Sequence, residues 1–335
     1  GVDELDDDDS FTSAGGDSLN FLEGSLAVER HFGRRVPGWQ NMPFSQLCLG
    51  EPEMKIRGDR EDPLVVTRSI AISLTILSHI LFYLQKWEAT AAPFFVTALA
   101  TPLLLIVFGA AVGRSVAGRP IGRSVRGLMT RYWPMAVTFY AVILLTLLIQ
   151  GITGEQTWEA TWEAMRFNGF AQYAGIWLTY CSMVVLVPFL IPILERWGLW
   201  AASVIVVVPW VASAWLWKLD GDSYLWSYMI GIGRQSGPSV MHATTFVVFG
   251  YFWHRAAKSW KAVFGVGLML LAAELLLWWE VANFGWHDVW LWFAFQEYRG
   301  LNHPVYFAFG VTGSALAMTF GWWWGRKPRL SSKAG

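Results

Sequence analysis

The stretch GIWLTYCSMVVLVPFLIPIL, Gly175 to Leu194, holds twenty consecutive residues without a charge. As a helix rising about 1.5 Å per residue it is about 30 Å long, the thickness of a bilayer's hydrocarbon core. Runs of this kind recur near 64–85, 92–113, 132–151, 172–194, 199–217, 239–254, 260–280 and 304–325. Composition agrees: 54% of the 335 residues are hydrophobic and only 15% charged, too apolar for an ordinary soluble domain. The expected fold is therefore all-α, a polytopic helical membrane protein with eight spans. Tyr224 to Gly233 and Val289 to Phe295 are too short to span yet too apolar for simple loops, and broken helices there would raise the count to ten.

Charge predicts sidedness. Arg114 to Arg131 carries five arginines, whereas Gly151 to Ala171 carries Glu155, Glu159 and Glu163 against Arg166 alone. Under the positive-inside rule the first loop is cytoplasmic and the second is outside. On the same count Arg255, Lys258, Lys261, Arg326, Lys327 and Arg329 are cytoplasmic, so both ends of the chain lie inside a cell (inner) membrane. Tryptophans at the span edges, Trp215 with Trp217 and Trp322 to Trp324, suit interfacial belts. Cys48 and Cys181 imply no disulfide framework. No metal-ligand spacing, P-loop, dinucleotide glycine pattern or GxSxG elbow occurs, and no nucleic-acid partner is expected.

A polar linker at 51–63, EPEMKIRGDREDP, separates this 64–335 region from residues 1–50. Those fifty residues hold nine acids against three arginines. Within them FTSAGGDSL, Phe11 to Leu19, places Ser18 after a glycine turn at the start of an amphipathic helix with Leu19, Leu22, Leu26 and Phe32 at helical spacing. A helix start favours a phosphate, although Asp17 or Ser18 as a plain N-cap is also consistent. The run resembles the phosphopantetheine carrier superfamily, with Asp7 to Asp9 and Phe11 at its acidic loop and aromatic anchor. His31, Phe32, Gly33 and Val36 resemble the end of its second helix, and Pro43 to Leu49 its last short helices. The resemblance implies a 4′-phosphopantetheine arm on Ser18, added by a phosphopantetheinyl transferase. It implies a carrier lacking its first helix at 1–50, so an upstream acyl-activating (adenylating) partner is expected.

Three ionisable residues lie inside apolar runs. Arg68 and His79, in TRSIAISLTILSH, are roughly 16 Å apart along one helix, and Glu274 sits in LMLLAAELLLWW, where a carboxylate normally faces the protein interior. The Arg68 and His79 spacing resembles the first-helix signature of acyltransferase family three, the integral-membrane O-acyltransferases. Thr101 to Arg114, Arg126 to Pro134, Gly175 to Leu194 and FVVFGYFWHR (Phe246 to Arg255) resemble further helices and the arginine-bearing loop of that family, covering roughly 64–325.

That resemblance implies His79 as the catalytic base, with Glu274 orienting it or binding the acceptor, and Arg68, Arg126 and Arg131 on the phosphate of the arm or of coenzyme A. Packing for His79, snorkelling for Arg68 and topology signalling for the arginine loop are the alternatives. The expected function is an acyltransferase moving an acyl group from the Ser18-linked thioester, or from acyl-CoA. Its acceptor is a hydroxyl or amine of a carbohydrate, lipid or peptide at the membrane. The rivals are a transporter or flippase for a carrier-bound product and a plain membrane anchor. Intramembrane ionisable groups argue against the anchor.

Overall fold

The computed structural model describes residues 10, 28, 39–43, 45, 63–84, 91–116, 120–166, 175–216, 218–219, 224–232, 238–257, 259–294 and 297–325. The chain divides into two compact units, with Pro63–Trp324 as the second. In the first unit Val28 and Ser45 are helical, a single 3-10 turn spans Trp39–Asn41 with Trp39 buried, and Ser10 pairs with Pro43 in an antiparallel bridge.

The second unit is all helical among the described residues. Its elements are α1 (Pro63–Leu84), α2 (Ala91–Val116), α3 (Ile121–Thr153), α4 (Trp158–Met165), α5 (Gly175–Leu216), α6 (Tyr224–Ile230), α7 (Val240–Ala256), α8 (Trp260–Ala294), α9 (Glu297–Gly300) and α10 (Pro304–Gly325). Among the described residues five helical stretches are long and apolar enough to cross a membrane: 98–116, 121–153, 179–213, 260–293 and 304–325.

At 42 residues α5 is about 63 Å long, twice a hydrocarbon core. Gly198 breaks it, with φ 56° and ψ −131°, a conformation that suits a residue without a Cβ. The contacts show that the chain reverses there. Before the break, Met183 accepts from Thr244 and Glu195 accepts from Tyr251, so this half runs alongside α7 in the same direction. After it, Trp210 donates to Thr245 and the Pro209 carbonyl faces His242, back at the level of Met183. A straight continuation would have carried Trp210 about 22 Å past Glu195. The two spans expected at 172–194 and 199–217 are thus one helical hairpin.

Counting α5 twice, these five stretches together with α1 and the 17-residue α7 make eight helical segments among the described residues. A second break at Gly285, φ 79°, ends the crossing part of α8 and leaves a short helix that carries Val289 and Phe293. Tyr224–Ile230 is likewise a short helix of seven residues. Both stretches are therefore helical and short.

At the centre α2 packs on α7. A Cβ added at Gly109 would collide with the Val247 carbonyl, and one at Gly250 with the Ile106 carbonyl. The two backbones touch because these positions have no side chain, the small-residue packing typical of membrane helices. Gly113 meets Tyr251 one turn further along, so α2 and α7 run in the same direction. On α10, Gly310 and Gly313 fit against Pro102 and Leu99 of α2, and Gly321 against Thr67 of α1. The outward faces of α8 and the second half of α5 expose Leu268, Leu271, Leu275, Val204, Val207 and Val211, a surface suited to lipid.

One expectation changes. The arginine-rich stretch is not a loop throughout: α3 starts at Ile121 behind Pro120, so Arg123, Arg126 and Arg131 are helical. Pro134 does not end the helix, which continues through it to Thr153. The glutamate-bearing segment also contains a helix, α4, whose N-cap Thr157 accepts from the Ala160 amide.

Candidate functional site

The residues singled out by sequence do not converge on one place. Ser18 lies outside the described residues. Arg68 is exposed on α1, and position 79 lies eleven residues along the same helix, three turns on and so on nearly the same stripe; the His79 side chain lies outside the described residues. Arg126 is exposed and Arg131 half-buried near the start of α3. Glu274 corrects an expectation. It is exposed on α8 rather than facing the interior, and its Oε1 accepts a hydrogen bond from the Thr312 hydroxyl of α10 at 2.9 Å. The reason is helical register: the buried face of α8 at this depth is carried by Ala273, one residue earlier.

Two polar clusters that sequence reading did not assemble occupy opposite ends of the bundle. At one end Arg255 of α7 pairs with Glu195, which also accepts from the Tyr251 hydroxyl, and the Arg255 guanidinium lies 5.0 Å from the centre of the Tyr251 ring. Arg114 follows Gly113 on α2, which packs on Tyr251 and His254, so this end gathers Arg114, His254 and Arg255. Leu199 meets Gly265 near the start of α8. Arg114 and Arg255, two of the residues that the positive-inside rule places on one side, are thus at one end of the bundle, while Arg119, Lys258, Arg326, Lys327 and Arg329 lie outside the described residues.

At the other end His242, in the first turn of α7, is fully buried between α5 and the segment before α10. Its Nε2 is 3.1 Å from the Pro209 carbonyl and its Nδ1 is 2.6 Å from Ser239 Oγ. A carbonyl can only accept, so in the neutral ring Nε2 carries the proton and Nδ1 accepts from the Ser239 hydroxyl. Pro209 lies inside α5, one residue before the buried Trp210, and its carbonyl faces the start of α7. Ser239 caps α7, and its amide donates to Asn302 Oδ1 at 2.9 Å. Asn302 adopts φ 48°, an uncommon conformation for a residue with a side chain.

Beside this network Tyr298 donates to Glu280 Oε1 at 2.9 Å and its ring lies 5.0 Å from that of His303. Burial together with the hydrogen bond to Glu280 raises the Tyr298 phenol, and burial lowers His303 to about 4. Aromatic rings pack around the cluster, Trp210 against His242 and Phe307, and Tyr306 against Phe246. His242 ties the start of α7 to α5 and, through Ser239, to Asn302. Nothing in the sequence paired it with Pro209 or Asn302, which are 33 and 60 residues away.

No group of three or more His, Cys, Asp or Glu suited to a metal occurs among the described residues. Cys181 is a free thiol that donates to the Ala136 carbonyl. Residues 1–38 match the family model described as phosphopantetheine attachment site. No curated protein and no solved structure matches the chain. The chain thus joins a segment that matches phosphopantetheine attachment sites to a polytopic helical membrane body.

Proposed function

We infer that this chain is a membrane acyltransferase fed by its own carrier segment. The observation that carries the reading is the phosphopantetheine-attachment match at 1–38 in one chain with a body of membrane-crossing helices. Ser18 carries the 4′-phosphopantetheine arm, attached by a phosphopantetheinyl transferase and loaded by an upstream acyl-activating enzyme or domain. The arm, or acyl-CoA, presents an acyl thioester at the end of the bundle that holds Arg114 and Arg255, on the cytoplasmic side of a cell (inner) membrane. Arg68, Arg126 and Arg131 serve the phosphate of that donor through the match of guanidinium to phosphate oxygens.

Transfer to a hydroxyl forms a C–O bond and breaks the thioester C–S bond. The acceptor's proton must leave as the oxygen attacks, and the thiolate must gain one. A neutral imidazole can do both in turn, and His79 is the group assigned here. The acceptor is a hydroxyl or amine of a carbohydrate, lipid or peptide at the membrane.

The test uses the purified full chain, converted to the holo form and loaded with a radiolabelled acyl group. Membrane extract supplies the acceptor. Label should leave Ser18 and appear in product with wild-type protein. Ser18→Ala should fail at loading, while His79→Ala should load normally and transfer about 10²- to 10⁴-fold more slowly. Wild-type transfer by His79→Ala would remove that residue from the mechanism. A Ser18 that no transferase modifies would remove the carrier.

A further inference from the structure

Glu195 and Arg255 form an ion pair that water still reaches: Arg255 is 30% exposed and Glu195 20%. Its geometry is fixed from behind. Glu195 Oε1 takes both Arg255 Nη2 and the hydroxyl of Tyr251, a residue only 1% exposed. The guanidinium also lies 5.0 Å from the centre of the Tyr251 ring, one turn back along α7. Held on two sides, Arg255 has already lost much of the rotamer freedom that a ligand would otherwise have to freeze. Hydrogen-bonding capacity remains. A guanidinium has five N–H donors and a carboxylate about four acceptor sites, and these contacts leave part of each unused. Neither residue has a buried atom without a partner, so the unused groups open toward the exposed side.

The open groups specify an occupant that offers an anion to Arg255 and, a few bonds away, a hydrogen-bond donor to Glu195. Charge at this end favours the anion. Arg114 follows Gly113, which packs on Tyr251, and Arg196 beside Glu195 is exposed, so three guanidinium groups stand against one carboxylate. Inorganic phosphate suits Arg255 but is repelled by Glu195, and an amine meets the reverse. A 4′-phosphopantetheine arm answers both. Its phosphate ester is followed, on the third carbon, by the pantoyl hydroxyl and then by an amide N–H, either of which can donate to Glu195 while the phosphate lies on Arg255. The pair also lies at the arginine end of the bundle, the side on which the positive-inside rule puts a cytoplasmic donor.

We propose that Glu195 and Arg255 form the subsite that reads the phosphate and pantoyl edge of the arm, on Ser18 or in coenzyme A, with Glu195 setting the preference over other phosphates. The assignment deepens the acyl-transfer reading and rests on it. The experiment uses the full chain with Ser18→Ala, which cannot carry its own arm, in detergent and phosphate-free buffer. Soluble 4′-phosphopantetheine is the probe. Inorganic phosphate, glycerol 3-phosphate and pantetheine are the comparators, ranked by saturation-transfer NMR. Phosphopantetheine should half-saturate at a concentration about tenfold or more below each comparator, the scale of one charge-assisted hydrogen bond. Arg255→Lys, which keeps the charge and loses the fork, should weaken it by about tenfold. Glu195→Gln should tighten inorganic phosphate, because a competing negative charge is gone, and erase the lead of phosphopantetheine. A mere strut between α5 and α7 predicts lower melting temperatures in both variants with the ranking unchanged, and that result would overturn the proposal. So would the lack of a saturable phosphopantetheine signal, or a glycerol 3-phosphate signal of equal strength, which would give the site to a lipid headgroup. Should Glu195→Gln fail to fold, the ranking before that change and Arg255→Lys still decide. Normal label transfer from Ser18 in both variants would strike this pair and leave the acyl-transfer reading, whereas the expected ranking beside a failed transfer assay would strike that reading and leave the subsite.

Discussion

His303 shows how a single side chain here turns burial into a pH dependence. It is half-buried beside the Tyr298 ring, and its Nδ1 accepts from the Val305 amide at 3.4 Å. Desolvation lowers it to about 4, whereas an unfolded histidine titrates at about 6.5. Between those values the unfolded chain binds more protons than the folded one, so stability is complete above about pH 6.5 and falls as the pH drops toward 4. The melting temperature of the wild-type protein should therefore fall from pH 7 to pH 5 more steeply than that of His303→Gln. Parallel slopes would show that other groups set the acid response. At this scale sequence was a partial guide. It marked Glu274 as exceptional, correctly for its chemistry, but hydropathy carries no register, so the exposed side on which it meets Thr312 was not legible. The Asn302 network escaped for a different reason. It joins residues far apart in sequence through a carbonyl, an amide and a left-handed backbone, none of which leaves a pattern in residue type.

Among the elements, the contact of α2 with α7 is the most constrained. Gly109 and Gly113 stand in a GxxxG spacing that sequence displays openly, but the third participant, Gly250, is recognisable only once α7 is laid against Ile106. Leucine at Gly109 or Gly250 would push the two backbones apart and forfeit dispersion contacts along both helices, a cost of at least about 1–3 kcal/mol. Both variants should lower the melting temperature by several degrees or elute as aggregate in size-exclusion chromatography. Gly267→Leu, at a position with open space around it, should match wild type. If all three behave alike, close packing of α2 on α7 is not what holds the bundle. The hairpin at Gly198 was equally legible, as two apolar runs with a Glu-Arg-Trp-Gly interruption. The start of α3 was not, because the arginines that mark a cytoplasmic edge are also good helix formers, and the helix extends below the apolar run.

For the whole molecule, the fold brings Arg114 and Arg255 to one end, and the N-terminal fifty residues carry nine acids against three arginines. Opposite charges on the two partners steer encounter, and salt weakens that steering. Arg123 and Arg126 are both exposed at the start of α3, so they can be reversed without breaking the half-buried Glu195 and Arg255 pairing. Arg123→Glu with Arg126→Glu should slow transfer from the loaded carrier and flatten its dependence on salt, while transfer from a small soluble thioester suffers less. This requires both units on one side of the membrane, which labelling can check in a background lacking Cys48 and Cys181. In intact cells an impermeant thiol reagent should reach a cysteine placed at the exposed Glu159 and miss one at the exposed Ile121. The reverse pattern would put the arginine end outside and separate it from a cytoplasmic carrier. Equal loss with both donors would assign the arginines to folding or to the arm's phosphate, and an unchanged rate at low salt would remove charge from the docking step.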